Sequence, residues 1–137
     1  MKQLTFGAYL RSLRQAKDPP MTQETLAKAV GRQKMTISQF EQGKNAPPQG
    51  ELLNKLIDAL ALNEEENQKL RYLAALSRNT LPGDIADYFY NTPAIYDAIR
   101  AAMQSGYKNA DWEAIETSIV RLDKPNRKRK VQDAKNN

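Results

Sequence analysis

Apolar residues recur along this chain at the three- and four-residue spacing of amphipathic helices, and no segment shows the alternation of a strand. Capping residues, glycines and prolines divide this pattern into separate helical segments. The sequence therefore predicts an all-α fold with five helices in the first half and three short ones after it. The predicted helices cover residues 5–16, 22–30, 33–42, 49–61, 63–78, 84–90, 92–104 and 110–122.

Two changes along the chain suggest three parts. The segment Asn79–Gly83 contains a proline and a glycine, so it is the best candidate boundary. We expect a five-helix domain over 1–78 and a small helical segment over 79–122. From 123 onward the chain is polar and basic with no apolar period, which predicts a disordered tail over 123–137.

Charge and composition narrow the possible functions. The net charge is +5 over residues 1–50, −4 over 51–122 and +4 over 123–137, so a polyanionic partner is expected for the first part. The chain contains no cysteine and no histidine. We therefore expect no cofactor, no metal site and no enzymatic activity. No apolar run suggests a signal peptide or a membrane span, so we expect a cytoplasmic protein without a membrane partner.

The second and third predicted helices, joined at Gly31, have the pattern of a helix-turn-helix. An α-helix fits the major groove of B-DNA, where base edges display distinct donors and acceptors. In the third helix, Ile37 and Phe40 give an apolar inner face, while the outer face is polar. On that outer face a lysine can reach guanine, a glutamine can bind adenine through two hydrogen bonds, and a methionine can touch a thymine methyl. The pattern predicts double-stranded DNA as the partner.

The first half of the chain resembles the lambda-repressor and Cro type of helix-turn-helix, also called the XRE family. The resemblance covers about residues 5–78 and implies a five-helix, lambda-repressor-like DNA-binding domain. The matching residues, in chain order, are Phe6-Gly7, Leu10-Arg11, Leu13-Arg14, Met21-Thr22-Gln23-Glu24-Thr25-Leu26-Ala27, Val30-Gly31, Thr36-Ile37-Ser38-Gln39-Phe40-Glu41-Gln42-Gly43, Pro47, Leu56 and Ala59-Leu60.

The resemblance also implies which residues read bases. The positions that match the family's base-reading residues are Lys34, Met35, Ser38 and Gln39. Arg32 and Gln33 depart from the family pattern, in which a valine and then a serine or threonine often follow the turn glycine. Because both side chains can reach DNA from this position, we add them to the predicted base-reading set.

Other matching positions imply contacts to the DNA backbone and one structural ion pair. The predicted backbone contacts lie at the start of the second helix and in the loop after the third, and they are Thr22, Gln23, Lys44 and Asn45. Arg14 and Glu41 match a pair that forms a buried salt bridge in family members.

Aromatic residues are concentrated after the predicted boundary, where six of the ten lie. They either build a small core or remain exposed and bind a second chain or another protein. The residues predicted to form such a dimer or partner surface are Tyr88, Phe89, Tyr96 and Trp112.

Two functions fit these observations. The first is a sequence-specific transcriptional regulator, more readily a repressor than an activator, that acts as a homodimer on a palindromic operator. The alternative is the antitoxin of a toxin–antitoxin pair, which would neutralise a basic partner toxin through its acidic second half and repress its own operon. The basic tail is either an electrostatic arm on DNA or a solvated segment.

Overall fold

The structure is a computed structural model that describes the backbone of residues 4–136 and the side chains of residues 4–122. This part of the chain contains eight helices and no strand, as the apolar spacing predicts. The helices are α1 (Phe6–Gln15), α2 (Gln23–Ala29), α3 (Lys34–Gln42), α4 (Gly50–Ala59), α5 (Glu64–Ser77), α6 (Gly83–Tyr90), α7 (Pro93–Gln104) and α8 (Asn109–Asn136).

Local capping explains several helix starts. The Thr5 hydroxyl accepts a hydrogen bond from the Ala8 amide, which satisfies one free donor at the start of α1. At α5, Asn63 and Glu66 form a reciprocal capping box with bonds of 2.8 and 3.1 Å. The sequence signals that predicted these helix starts therefore correspond to actual hydrogen bonds.

The chain divides into two compact units, a first unit over Met1–Asp87 and a second unit over Tyr88–Asn137. This division lies after the boundary predicted at 78/79. At the start of the predicted linker, the Thr80 amide and hydroxyl both donate to the Ala75 carbonyl, at 2.9 and 3.2 Å. These bonds hold the start of the predicted linker against the end of α5, so it belongs to the first unit.

The first unit has a continuous apolar core. In it α3 packs against α1 and α2, α1 packs against α5, and α2 packs against α4. The side chains at its centre are fully buried, and they are Leu10, Leu26, Val30, Ile37, Leu56, Leu60 and Leu70. Because both helices of the predicted helix-turn-helix contribute to this core, the position of α3 is set by the whole unit.

The second unit has almost no core. Ala102 is its only buried residue among those whose side chains the structure describes. Phe89 contacts Tyr90 and Tyr96 edge to face, with ring centroids 5.4 and 6.4 Å apart, and Tyr107 contacts Trp112 in the same way. Most of these rings remain exposed, so the interpretation of the aromatics as a small core is wrong for the described residues.

The last helix differs from its predicted extent. α8 is bounded at Asn136, past the end predicted at Leu122. The predicted disordered tail over 123–137 lies outside the residues whose side chains the structure describes, so its proposed role on DNA stays a prediction.

One glycine in the first unit tests how closely α1 and α3 approach. A Cβ atom added to Gly7 would lie 2.4 Å from the carbonyl oxygens of Phe40 and Glu41, where no real Cβ fits. We expect Gly7→Ala to lower the free energy of unfolding by about 1–3 kcal/mol, because two backbones must separate. Urea denaturation followed by circular dichroism measures this change.

Gly83→Ala is the matched control for this measurement. A Cβ atom at Gly83 meets nothing within 4 Å, so the same substitution there should change the unfolding free energy by less than about 1 kcal/mol. Equal effects at the two glycines would contradict the close approach of α1 to α3.

Candidate nucleic-acid interface

The turn between α2 and α3 is fixed by local hydrogen bonds. Thr22 caps α2, with its hydroxyl accepting from the Thr25 amide at 3.0 Å. Gly31 has φ +71°, a conformation that costs glycine little, and the Arg32 amide then donates to the Ala27 carbonyl at 2.9 Å. α3 therefore starts in a direction set by the end of α2.

The start of α3 is open. Gln33 is the N-cap residue, and its side chain makes no capping hydrogen bond. The free amides of the first turn are available to water or to an anion, as at any uncapped helix start. Gln33 stands where family members often have a serine or threonine, and its side chain leaves the start of α3 uncapped.

The structure places the predicted base-reading residues together on one accessible surface, which we call the reading face. None of them is buried: Met35 has 66% of its surface exposed, and Ser38 and Gln39 are half-buried. Ile37 and Phe40 lie on the opposite side of α3, in the core. The reading face consists of Arg32, Gln33, Lys34, Met35, Ser38 and Gln39.

Two residues beyond the reading face hold two of its side chains. The Gln42 side-chain amide donates to the Ser38 hydroxyl at 3.0 Å. The Asn45 side-chain amide donates to Oε1 of Gln39 at 2.7 Å. The sequence predicted Asn45 only as a backbone contact and did not predict a role for Gln42. The four-residue spacing from Ser38 to Gln42 is a signal that could have revealed that bond.

A buried ion pair joins α1 to α3 and, through one further bond, to the segment before α2. Arg14 on α1 donates to Glu41 on α3 through Nε and Nη2, at 2.8 and 3.0 Å. Their side chains are only 10% and 2% exposed. Arg14 Nη1 also donates to the Met21 carbonyl at 2.7 Å, just before α2. This is the pair of residues that the resemblance singles out, and the structure shows a bidentate contact with an additional bond to the loop.

The same carboxylate also orients a predicted DNA contact. Gln23 Nε2 donates to Glu41 Oε1 at 3.0 Å. Gln23 is half-buried and is therefore held at the first position of α2. The sequence did not predict this bond, because nothing in an eighteen-residue separation indicates that the two side chains meet.

Positive charge at the interface is available to a ligand. Arg32, Lys34 and Lys44 are exposed, and none of them forms an ion pair within residues 4–122. Lys28 by contrast lies 3.8 Å from Glu24 in an exposed pair on α2. Arg32 and Lys34 lie at the start of α3, and Lys44 lies in the loop after it.

Comparison with known proteins agrees with this geometry. Two packed helices joined at a glycine turn, with a polar outer face on the second helix, form a helix-turn-helix, an arrangement that many DNA-binding proteins use. Residues 5–70 match a family model described as a helix-turn-helix domain, and that part of the chain is such a domain, consistent with a regulator of the XRE type. Neither a curated protein nor a solved structure matches the chain. Along the described helices, none combines the length and apolar character that crossing a membrane requires.

The buried ion pair makes a stability prediction. Glu41→Ala leaves the guanidinium of Arg14 buried without a carboxylate, so we expect the free energy of unfolding to fall by about 3–5 kcal/mol. Chemical denaturation of the full chain measures this. Glu24→Ala, which breaks an exposed pair, is the control and should change stability by less than about 1 kcal/mol. A small effect at Glu41 would show that its pair does not hold the three helices.

Proposed function

We propose that this protein is a sequence-specific transcriptional regulator that represses promoters by occupying them. The observation that carries the proposal is the reading face, a polar and accessible surface on a helix whose other side is fixed in the core. The helix-turn-helix domain supports DNA as the ligand. The proposed activity is binding rather than catalysis, and its place is the cytoplasm.

Residues around the reading face support contacts to the DNA backbone. Gln23 is held by Glu41 at the start of α2, and Thr22 caps the same helix. Lys44 lies exposed in the loop after α3, next to Asn45. A duplex with its major groove on α3 would bring a phosphate strand to each of these places, which would fix the register of the reading helix.

A homodimer would supply the second reading helix that a palindromic operator requires. The second unit supports this part of the proposal, because apolar side chains at helical spacing on its helices are exposed or only half-buried. On α8 four of these side chains recur at the alternating three- and four-residue spacing of a heptad. On α7 three more have the same spacing. The α8 set, which we call the α8 stripe, is Trp112, Ile115, Ile119 and Leu122, and the α7 set is Tyr96, Ile99 and Met103.

The predicted partner residues contribute unequally to this surface. Tyr88, Tyr96 and Trp112 are exposed at 67%, 48% and 38% and are available to a partner. Phe89 is half-buried between Tyr90 and Tyr96, so it supports the surface more than it forms it.

An antitoxin remains the second candidate function, because an exposed apolar unit fits another protein as well as a second copy. Residues 51–122 carry a net charge of −4, which suits a basic partner. The two candidates differ in what purifies with the chain. Expression of the gene with its neighbours should yield a homodimer if it is a plain regulator, and a complex with a small basic neighbour product if it is an antitoxin.

Selection of bound fragments from random double-stranded DNA tests the main proposal directly. A palindromic consensus with half-sites about one helical turn apart is expected for a dimeric regulator. A set of fragments without a consensus would contradict sequence-specific recognition.

Lys44 is expected to contact phosphate and not bases. Lys44→Ala should weaken binding to the selected operator and to random DNA by similar factors, because phosphates are the same in both. The slope of log Kd against log salt should fall by about 0.9 for each phosphate that the variant no longer neutralises. Fluorescence anisotropy at several salt concentrations measures both quantities, and a changed base preference would contradict the assignment.

The α8 stripe is expected to hold the dimer. Ile119→Asp places a charge in the stripe, so we expect monomers by light scattering and at least about a tenfold loss of operator affinity. Val120→Asp is the control. Val120 is also apolar and is 57% exposed, but it lies about 100° around the helix from Ile119 and therefore off the α8 stripe. A dimer that survives Ile119→Asp would mean that another surface pairs the chains.

A further inference from the structure

The second unit carries two apolar helix faces that barely cover each other. Among the described residues, α7 and α8 make few close backbone contacts with one another. The α7 set and the α8 stripe stay exposed or half-buried, with Met103 and Ile119 exposed at 64% and 62%. Each chain therefore offers one such face on α7 and one on α8 to a partner.

One charged residue borders each of these faces at the same heptad position. Arg100 directly follows Ile99 and Glu116 directly follows Ile115, so both occupy position e, at the edge of the apolar residues. Both are exposed, and neither forms an ion pair within residues 4–122. Nε of Arg100 donates to the Tyr96 hydroxyl at 3.1 Å, which leaves both terminal nitrogens to bind a carboxylate.

Pairing α8 with α8 of a second copy brings like charges together. Asp111 directly precedes Trp112 and borders the α8 stripe on the side opposite to Glu116. If two stripes pair antiparallel and in register, Glu116 meets Glu116 of the second copy. If they pair parallel, Asp111 meets Glu116 of the second copy. Either arrangement is disfavoured, because repulsion at positions e and g selects against a partner.

Pairing α7 with α8 of a second copy brings opposite charges together. An antiparallel contact that sets Ile99 against Ile119 of the second copy also sets Met103 against Ile115. The two charged residues at position e then lie between these two apolar layers, on one side of the contact. The guanidinium of α7 is thereby placed next to the carboxylate of the second α8.

A parallel contact between α7 and α8 is less favourable. It would bring Arg100 to Asp111 of the second copy in place of Glu116. The carboxylate of Asp111 already accepts a hydrogen bond from the Lys108 amide at 2.8 Å, at the start of its own helix. The antiparallel contact uses an acid that no such bond occupies among the described residues.

We propose that in the dimer α7 of each copy packs antiparallel against α8 of the other, with Arg100 paired to Glu116 across the contact. A two-fold axis makes the same contact twice, so both apolar faces of each chain are covered. The inference rests on the homodimer of the proposed function and specifies which helices of the two copies meet.

Reversal of single charges tests this pairing. Arg100→Glu and Glu116→Arg each place like charges together at both contacts, so each should raise the dimer dissociation constant at least about fivefold at low salt. Sedimentation equilibrium of the full chains measures this constant, with folding checked by circular dichroism. Glu113→Arg is the control. It makes the same charge change on α8 about 100° from Trp112, off the stripe, and should change the constant less than about twofold.

Mixing the two variants shows whether the pair forms between chains. A mixed dimer of Arg100→Glu with Glu116→Arg has opposite charges at both of its contacts. It should therefore form with a dissociation constant within about twofold of wild type, although each variant alone dimerises poorly. A fluorescent label on one variant counts the mixed dimers. An ion pair within one chain would be restored only in the double variant and not by mixing, which would contradict the inference.

The outcomes distinguish this inference from the proposed function. Wild-type chains that stay monomeric would contradict the homodimer and the inference together. A wild-type dimer that Arg100→Glu leaves unchanged, or that Glu116→Arg tightens, would overturn the inference alone. Purification with a different protein, in a complex that Ile119→Asp abolishes, would place that protein on these faces and overturn it as well. Selected DNA without a consensus would contradict the regulator and leave the helix pairing intact.

Discussion

The contact on which the interface depends is the buried pair of Arg14 and Glu41. The attraction within a buried ion pair offsets the cost of removing both charges from water only when the remaining hydrogen-bonding groups are also satisfied. Here Arg14 is satisfied by the carboxylate and by the carbonyl of Met21, and Glu41 also receives the amide of Gln23. One charged group on each of α1 and α3 therefore sets the positions of α1, the start of α2 and the end of α3. The surface that would face DNA is arranged from beneath by this network.

Much of the first unit could be predicted from the sequence because its signals are local. The spacing of apolar residues indicated the helices, and Thr5, Asn63 and Gly43 marked helix ends that the structure retains. The exposure of the reading face followed from the same spacing, since a helix with one apolar side must expose the other.

What the sequence could not supply are bonds between side chains that meet only after folding. Gln23 and Glu41 lie on different helices, and Asn45 reaches Gln39 because the chain reverses at Gly43. Such bonds orient side-chain amides, and residue type alone leaves that orientation open. The chemistry of the reading face was thus less predictable than its location.

The second unit shows a different limit. Its helices were predicted from good local signals, yet the structure buries only Ala102 there among the described side chains. Helical stability in proteins comes mainly from packing an apolar face against another element. A unit with apolar side chains at helical spacing and little core of its own gains most from a partner, whether that partner is a second copy or another protein.

The absence of a side chain at Gly7 has a consequence for the thermodynamics of recognition. Because α1 and the end of α3 meet backbone to backbone, α3 has no room to move closer to α1. A mobile recognition helix would lose conformational entropy on binding DNA. In this domain that entropy is already lost on folding. Association then needs to order only the long exposed side chains of the reading face and the loop beside it. A glycine remote from the DNA surface would in this way favour affinity without making any contact.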